Sequence, residues 1–336
     1  MLCDCRPKRY KYIVAGCYFG MSYLEVKKRG KENYAYFVKK WSLAGKRFVL
    51  RKYVGKPVSL ASKETYILRN MDFLVQQELA LRKPVWEKAV LMPFNPELVK
   101  QVEGKAVLLN NLIEAKNAQQ LFRMEFAKEF FYNSNNIEGS KIPKEKLVEL
   151  FEKGVTSYKN QNEVLEVKNS IKTFDFLEKD FSFTLKSIKR LYRVLTKGLR
   201  MENGDFYPLG FKKIANVVGD SATTAPKDVE PALVALLKWN KTHEKTMYPL
   251  QRAFDFHARF ESIHPFQDGN GRTGRLLMNK ILLQNNYPPI IVYKDNKLGY
   301  FNSIQAAHEG NLRKYRQFML EQAEKTYSQM IGVLRP

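Results

Sequence analysis

Hydrophobic residues recur at two different periods along this chain, and the change of period divides it. In residues 34–41 and 46–55, aromatic and β-branched side chains alternate with lysine and arginine. Alternation of this kind is typical of β-strands with one apolar and one polar face. The turn residues Leu43-Ala44-Gly45 lie between the two runs, so a strand-turn-strand unit is predicted there. The earlier run Tyr10–Tyr23 is a candidate for a further strand.

Beyond residue 60 the apolar positions recur at every third and fourth residue, the period of an amphipathic helix. Pro84, Pro93 and Pro96 punctuate the pattern early, and glycine and proline break it over residues 200–227, where Ile214–Gly219 has strand character. The predicted helices span residues 62–82, 101–133, 144–153, 161–179, 185–199, 229–239, 250–263 and 272–284, followed by one beginning at residue 300 and one over 312–333. The predicted fold class is therefore mainly α, with a small basic β-containing extension at the N-terminus.

Length and charge bound the organisation of the chain. Its 336 residues (39.2 kDa), 44% of them apolar, leave room for a substantial core and for two or three domains. We predict a basic β-rich extension over 1–60, a helical region over 61–141 and a catalytic core over 142–336. The formal net charge is +23, and residues 1–56 alone carry 15 Lys and Arg against 3 Asp and Glu. Such a surface attracts nucleic acid, anionic membranes or acidic proteins, and it is equally compatible with a solvated face that binds nothing.

Targeting features and cysteines point to an ordinary intracellular protein. The chain has no run of about 18 apolar residues, so neither a membrane span nor a membrane partner is expected. Its first residues lack an apolar core followed by a small-residue cleavage site, which makes a cytoplasmic location the expectation. The three cysteines all lie near the N-terminus and do not form a disulfide framework.

The chemically densest stretch runs from His264 to Arg275 and reads HPFQDGNGRTGR. Apolar residues at helical spacing precede and follow it, so it predicts a tight polar loop between two helices. The loop leads into a helix N-terminus, where free N–H groups and the helix dipole favour an anion. Gly269 and Gly271 let the backbone approach a phosphate closely.

The other side chains of this loop suit phosphate chemistry. Asp268 is a hard oxygen ligand for a Mg²⁺ ion that carries phosphate oxygens. Arg272 and Arg275, three residues apart on one helical face, can bind further phosphates. His264 can accept a proton from an incoming hydroxyl near neutral pH. The spacing alone therefore suggests a nucleoside triphosphate, a metal ion and a general base.

The segment resembles the signature HPFxDGNGRxxR of Fic-domain proteins, and every signature position is present. The resemblance implies a Fic-type helical bundle with a β-hairpin flap. It further implies transfer of AMP from ATP, with Mg²⁺, to a Tyr, Thr or Ser hydroxyl of a target protein. By the same resemblance His264 is the base and Asp268 the Mg²⁺ ligand. The backbone amides around Gly269 to Gly271 would hold the α- and β-phosphates, and Asn270 and Arg272 would support them. Arg275 would contact the γ-phosphate.

A second motif lies upstream, where a predicted helix runs out into a polar turn. Ser134-x-x-x-Glu138-Gly139 resembles the inhibitory motif S/T-x-x-x-E-G/N of Fic proteins whose inhibitory helix precedes the core. In that family the glutamate pairs with the second arginine of the signature and excludes a productive γ-phosphate. The resemblance therefore predicts a Glu138–Arg275 ion pair, since a carboxylate in an arginine fork competes with phosphate for the same donors. Capping of the helix end by glycine is the alternative.

The resemblance also implies where partners bind. Residues 212–222 would form the flap, which holds a protein substrate by main-chain pairing. Tyr300 and His308 would approach the nucleotide base and ribose, and inhibited relatives often form homodimers. His257, alone on an apolar helix, is interpreted as structural. Three alternatives stay open: removal of AMP by the same residues, transfer of another phosphate-linked group such as phosphocholine, and a nucleic-acid-binding regulator with a nucleotide pocket.

Overall fold

The computed structural model describes residues 21–56, 62–90, 94–218 and 221–335. Its N-terminal part is an antiparallel sheet of β1 (Met21–Arg29), β2 (Glu32–Leu43) and β3 (Lys46–Gly55), in the order β1-β2-β3. The strand-turn-strand unit predicted around residues 43–45 is therefore confirmed. Of the candidate strand Tyr10–Tyr23, residues 10–20 lie outside the described residues, and the last three belong to β1.

Helices account for most of the remaining described chain. They are α1 (Lys63–Arg69), α2 (Met71–Val90), α3 (Pro96–Ala115), α4 (Gln119–Ile137), α5 (Lys144–Lys153), α6 (Gln161–Lys179), α7 (Leu185–Thr196), α8 (Val229–Thr242), α9 (Pro249–Ile263), α10 (Asn270–Gln284), α11 (Lys297–His308) and α12 (Leu312–Leu334). A two-stranded hairpin of β4 (Val217–Val218) and β5 (Ser221–Ala222) lies in the predicted break of the helical pattern. The mainly helical class is confirmed.

Three predictions about the first helices are wrong. The helix predicted over 62–82 is divided at Asn70 into α1 and α2. The region 101–133 is covered by α3 and α4 rather than by one helix, because Asn117 between them takes a left-handed conformation with φ 50°. Asparagine visits that conformation more readily than most residues, so an apolar period can continue across a break in the helix. Pro84 lies inside α2 instead of ending a helix. Its neighbours Arg82 and Val85 are both buried, and their packing outweighs the lost backbone hydrogen bond.

One hydrophobic core joins the sheet to the helices. Helices α9 and α10 are buried along nearly their whole length and form its centre. Phe37 and Trp41, on the inner face of β2, belong to the same cluster. Between them Lys39 is 2% exposed, and its Nζ donates to Glu78 Oε2 at 2.7 Å and to Asn111 Oδ1 at 3.1 Å. The sheet is therefore fixed to α2 and α3 by a buried ion pair as well as by apolar contact.

In the described part of the chain, every helix is too short or too polar to traverse a lipid bilayer.

Candidate active site

The site is built where α9 ends and α10 begins. His264 follows α9 with a left-handed backbone, φ 48°, which is uncommon for a residue with a β-carbon and turns the chain sharply out of the helix. Asn270 braces the loop that follows, because its Oδ1 accepts from the Phe266 N–H and its Nδ2 donates to the Phe266 carbonyl, both at 2.8 Å. The Phe266 ring stacks on Tyr192 with 3.7 Å between centroids. The predicted helix-loop-helix is confirmed. Its loop is fixed by the hydrogen bonds of Asn270 and by the stacking of Phe266 on Tyr192.

The N-terminus of α10 faces a carboxylate from another helix. Gly269, with φ 76°, is the N-cap residue of α10. The first N–H groups of an α-helix lack partners within the helix and favour an anion. A β-carbon at Gly271 would collide with Oε1 of Glu138. Glycine at 271 is therefore what lets the Glu138 carboxylate lie against the first turn of α10.

Glu138 is held in this place by the end of α4. Gly139 has φ 107°, and the next N–H, of Ser140, donates to the Asn135 carbonyl at 3.0 Å. This is the hydrogen-bond pattern of a helix that ends in a left-handed glycine. The glycine of the motif thus caps α4, and the glutamate one position earlier is the last residue directed by that helix. Capping and pairing are therefore two properties of one motif here, not alternatives.

Arg275 donates hydrogen bonds to both Ser134 and Glu138 of the upstream motif. Its Nη2 donates to Glu138 Oε1 at 2.7 Å and to the Ser134 carbonyl at 3.0 Å, and its Nε donates to Ser134 Oγ at 3.0 Å. The predicted Glu138–Arg275 ion pair is thus confirmed. The Arg275 side chain is 1% exposed and that of Glu138 is 22% exposed. Burial lowers the pKa of Arg275, but the charge of Glu138 more than offsets this, so the pKa of the guanidinium stays above its ordinary value.

The first arginine has a carboxylate partner of its own, which sequence reasoning missed. Arg272 Nη1 donates to Glu166 Oε1 from α6, and both residues are buried. Arg272 Nη2 donates to the Tyr207 hydroxyl at 2.9 Å, and that hydroxyl donates to Asp268 Oδ2 at 2.8 Å. The three side chains Arg272, Tyr207 and Asp268 form a chain of hydrogen bonds along the loop. No signal in the sequence singled out Glu166 or Tyr207.

The histidine of the signature lies beside a second buried carboxyl group. His264 Nδ1 is 3.8 Å from Glu261 Oε2, and Glu261 Oε1 is 3.5 Å from Nε2 of His257. Burial raises the pKa of Glu261 to about 8. Burial, and next the charge of Lys212, lower the pKa of His264 to about 4. At neutral pH the imidazole is therefore neutral and able to accept a proton.

His257 has the structural role expected of it. It is fully buried, and its Nδ1 lies 2.7 Å from the Tyr315 hydroxyl. Its Nε2 lies 3.2 Å from the hydroxyl of Tyr300, which in turn accepts from Arg275 Nη1 at 3.3 Å. Tyr300 is 1% exposed. The structure thus places Tyr300 beneath Arg275, where it supports the guanidinium.

The predicted flap is tied to the signature loop. The backbone N–H of Lys212 donates to the Pro265 carbonyl at 2.9 Å, and Asn216 Nδ2 donates to the Phe266 carbonyl at 3.0 Å. The Lys212 side chain is buried, and its Nζ donates to Asn216 Oδ1 at 2.7 Å and to Thr223 Oγ1 at 2.6 Å. Burial lowers the pKa of Lys212 to about 8. The base of the flap is therefore fixed by hydrogen bonds to the loop that carries His264.

His308 lies apart from these contacts. It is the last residue of α11 and is half-buried. Burial lowers its pKa, and no described residue hydrogen-bonds its buried Nε2. Its suggested contact with a nucleotide stays a prediction.

The donors present fit a metal ion that arrives with a nucleotide. Among the described residues no group of three or more His, Cys, Asp and Glu converges on one point. Asp268 is the carboxylate of the signature loop itself, and its side chain is 45% exposed. A single hard oxygen ligand suits Mg²⁺, which keeps several waters and binds phosphate oxygens.

Comparison with known proteins agrees with this geometry. Residues 182–282 match the model of the Fic/DOC family. The chain is 28% identical over 244 residues to "Protein adenylyltransferase Fic" of Drosophila melanogaster, covering 70% of this chain and 49% of that protein. It is 30% identical over 232 residues to the protein of the same name from Drosophila virilis, covering 67% of this chain and 47% of the relative. The chain thus spans about half the length of the curated relatives that it matches.

Solved structures show the same fold. A Fic domain-containing signaling protein from Bacteroides thetaiotaomicron superposes with a TM-score of 0.61 at 20% identity, over 71% of this chain and 97% of that one. Fic-1 from C. elegans superposes with a TM-score of 0.58 at 23% identity, over 76% of each chain. The hairpin and the signature loop both lie within residues 182–282, the part of the chain that matches the family model. Residues 182–282 of this chain therefore make up a domain of the Fic/DOC family.

Proposed function

We propose that this protein is an autoinhibited adenylyltransferase that transfers AMP from ATP to a hydroxyl of a target protein. One observation carries the proposal. The carboxylate of Glu138 lies at the N-terminus of α10 and pairs with Arg275, so it occupies the donors that would otherwise bind a phosphate. The relatives named as protein adenylyltransferases support ATP as the substrate and AMP as the group transferred.

In the proposed reaction the target hydroxyl attacks the α-phosphorus of ATP. A bond forms from the hydroxyl oxygen to phosphorus, the bond to the bridging α,β-oxygen breaks, and pyrophosphate leaves. His264 takes the hydroxyl proton, which its lowered pKa permits at neutral pH. Because Nδ1 is buried beside Glu261, Nε2 is the nitrogen left for the substrate. The N–H groups around Gly269–Gly271 would hold the phosphates, so catalysis is mainly positioning and electrostatic stabilisation.

A bound Mg²⁺ ion would neutralise negative charge on the phosphate oxygens. Asp268 is the residue that would hold it, and the hydrogen bond from Tyr207 fixes the orientation of that carboxylate. Arg272, oriented by Glu166, would lie beside the same phosphates. Binding and orientation of the phosphates are therefore what these residues contribute.

We further propose that residues 212–222 receive the target segment. The hairpin of β4 and β5 has a strand edge that can pair with an extended peptide, which gives affinity with little dependence on sequence. The bonds from Lys212 and Asn216 to the signature loop would hold that peptide at a fixed distance from His264. A homodimer and a cytoplasmic location stay predictions of the sequence.

A label-transfer assay tests the function. The protein is incubated with Mg²⁺ and ATP labelled in the α-phosphate, with itself and a cell extract as acceptors. We expect weak labelling by the unmodified protein, roughly ten-fold or more labelling by Glu138→Gly, and none by Glu138→Gly combined with His264→Ala. Chelation of Mg²⁺, or Asp268→Asn in the same background, is expected to abolish the signal. Equal labelling by the single and the double variant would contradict the proposal.

A further inference from the structure

The outer face of the N-terminal sheet carries side chains that the proposed transfer reaction does not use. Successive residues of a strand point to opposite faces, and the buried residues Phe37, Lys39 and Trp41 define the inner face of β2. The pairing register then places a common set on the outer face, which we name the tyrosine face. Its members are Tyr23, Tyr34, Tyr36, Lys40, Arg51 and Tyr53.

Two of the four tyrosines of this face are exposed, and Tyr34 and Tyr36 are half-buried. Tyr53 is 55% exposed and Tyr23 is 37% exposed. Tyr53 is the centre of a small cluster, because its ring centroid lies 5.7 Å from that of Tyr36 and 6.1 Å from that of Tyr34. Tyrosines that pack a core bury their rings, as Tyr192 and Tyr300 do in this chain. The rings of Tyr23 on β1 and Tyr53 on β3 instead leave aromatic surface exposed near the two edges of the sheet, where a flat ring of a partner could stack.

Cations lie among these rings. Arg51 Cζ is 4.4 Å from the centroid of Tyr36, and Lys40 Nζ is 5.3 Å from that of Tyr23. Glu25 on the same face pairs with Arg51 at 2.7 Å and offsets part of the charge. The pairing register adds Lys27, Arg29 and Arg47 to this face, against Glu25 and Glu32, so the face carries a net positive charge.

The sheet that carries this face is held rigidly. Its inner side is fixed by the buried Lys39–Glu78 pair, and β1 is fixed by Ser22, whose N–H and Oγ donate to Glu114 Oε1 at 3.0 and 2.6 Å. The strands that carry the rings and cations therefore keep their arrangement before any partner arrives, which lowers the entropy lost on binding.

We propose that the tyrosine face binds single-stranded nucleic acid, with bases stacked on Tyr23 and Tyr53 and phosphates beside Lys40 and Arg51. Exposed aromatic rings interleaved with cations are what single strands require, since every base has a π-face and every nucleotide a negative charge. A duplex hides its base faces inside the stack, and an acidic protein uses the cations without needing the rings. The combination of both features favours the single strand. An anionic membrane interface also accepts tyrosine rings, and a comparison with anionic vesicles separates it from the single strand.

Fluorescence anisotropy of labelled oligo-dT and oligo-rU tests the proposal with the full chain, over a series of salt concentrations. We expect binding at physiological salt that exceeds binding to a duplex of equal length. Tyr23→Ala with Tyr53→Ala is expected to weaken binding roughly ten-fold or more with little change in salt dependence. Lys40→Ala with Arg51→Ala is expected to reduce the slope of log affinity against log salt by about 1.4, two phosphate contacts at about 0.7 each.

Matched controls separate this face from general charge and from the transfer reaction. Phe301→Ala and Lys241→Ala remove an exposed ring and an exposed cation elsewhere and are expected to bind as the unmodified protein does. His264→Ala is expected to bind equally well, so a failure of the transfer reaction leaves this result untouched. Melting temperatures show that each variant folds. No binding to single strands, equal affinity for duplex or anionic vesicles, or unchanged binding by the tyrosine variant would overturn the proposal.

Discussion

Arg275 and Glu138 are 137 positions apart in the chain, yet Arg275 Nη2 donates to Glu138 Oε1 at 2.7 Å. The carboxylate comes from the last turn of α4 and the guanidinium from the first turns of α10. The pair therefore joins the region before the core to the loop of the proposed active site. Because Ser134 and Glu138 contact Arg275 through separate hydrogen bonds, mutation can remove the two contributions one at a time.

Ser134 and Glu138 should contribute unequally to inhibition. Ser134 meets Arg275 through its hydroxyl and also through its carbonyl, and the carbonyl remains in Ser134→Ala. We expect Ser134→Ala to raise AMP transfer only a few-fold, roughly the effect of one hydrogen bond of about 1 kcal/mol, and Glu138→Gly to raise it much more. Initial rates of label transfer measure both. Glu145→Ala, an exposed change on α5, is the control and should leave the rate unchanged. A larger gain from the serine variant than from the glutamate variant would contradict this division.

The pH dependence of transfer should report the lowered pKa of His264. A base whose pKa is about 4 is already deprotonated at pH 6, and the Glu138 charge that raises this pKa is absent from the Glu138→Gly variant, so the rate of that variant should fall only at about pH 4 or below. Loss of the Lys212 charge raises the pKa of His264, since that charge lowers it in the unmodified protein. We therefore expect Lys212→Met to move the acid limb of kcat/KM to higher pH. Lys213→Met, the exposed neighbour, is the matched control, and a limb near pH 6.5 in all variants would be the contrary result.

The buried pair of Arg272 and Glu166 should matter for stability. Glu166→Ala leaves a buried guanidinium without its carboxylate, which typically costs about 3–5 kcal/mol. Glu244→Ala removes a comparable partner from the exposed pair with Lys241, at 2.7 Å, and should cost less than about 1 kcal/mol. Urea unfolding monitored by circular dichroism measures both free energies. Equal losses would show that burial of the first pair is not what matters.

Glu261 should make the free energy of unfolding depend on pH. Its pKa is about 8 in the folded chain and near 4.5 when unfolded, so the folded state holds a proton that the unfolded state releases between those values. Stability from this group is complete below about pH 4.5 and is lost as the pH rises through 8. Glu261→Gln has no proton to lose, so its melting temperature should gain on that of the unmodified protein as the pH rises, by at least about 2 °C at pH 8.

Two measurements check this expectation. The difference in melting temperature between Glu261→Gln and the unmodified protein should shrink toward about pH 5. Glu202→Gln, an exposed carboxylate in the loop after α7, should show no such trend. A difference that does not change with pH would mean that Glu261 is ionised in the folded chain.

The sequence predicted the site better where residues adjacent in the chain form it. The signature loop is one continuous segment, so its conformation followed from two helical patterns and the glycines between them. The Glu138–Arg275 pair followed from a family motif, since nothing in the period of α4 indicates which helix its last residue faces. Glu166 and Tyr207 could not be found, because their contacts with Arg272 depend on how α6 and the loop after α7 pack.

A local backbone conformation explains one error in the fold, and packing explains another. The apolar period of residues 101–133 continues through Asn117, so periodicity alone cannot show that the helix stops there. Pro84 lies in a helix because packing on both sides of it outweighs a local preference. The contact of Tyr300 with a nucleotide stays a prediction. Its burial beside Arg275 arises from the packing of α11 against α9, which no single segment encodes.

Lys39 bears on how this protein tolerates truncation. Its ammonium group neutralises Glu78 within the interior that the sheet shares with α2 and α3. A shortened chain that begins after β3 would remove that charge and leave Glu78 buried, with only the Arg82 guanidinium nearby among the described cations, 3.9 Å away and already paired with Glu103. We therefore expect proteolytic removal of the first strands to unfold the remainder instead of releasing an intact helical enzyme. Binding by the sheet and transfer by the helical part would then be lost together.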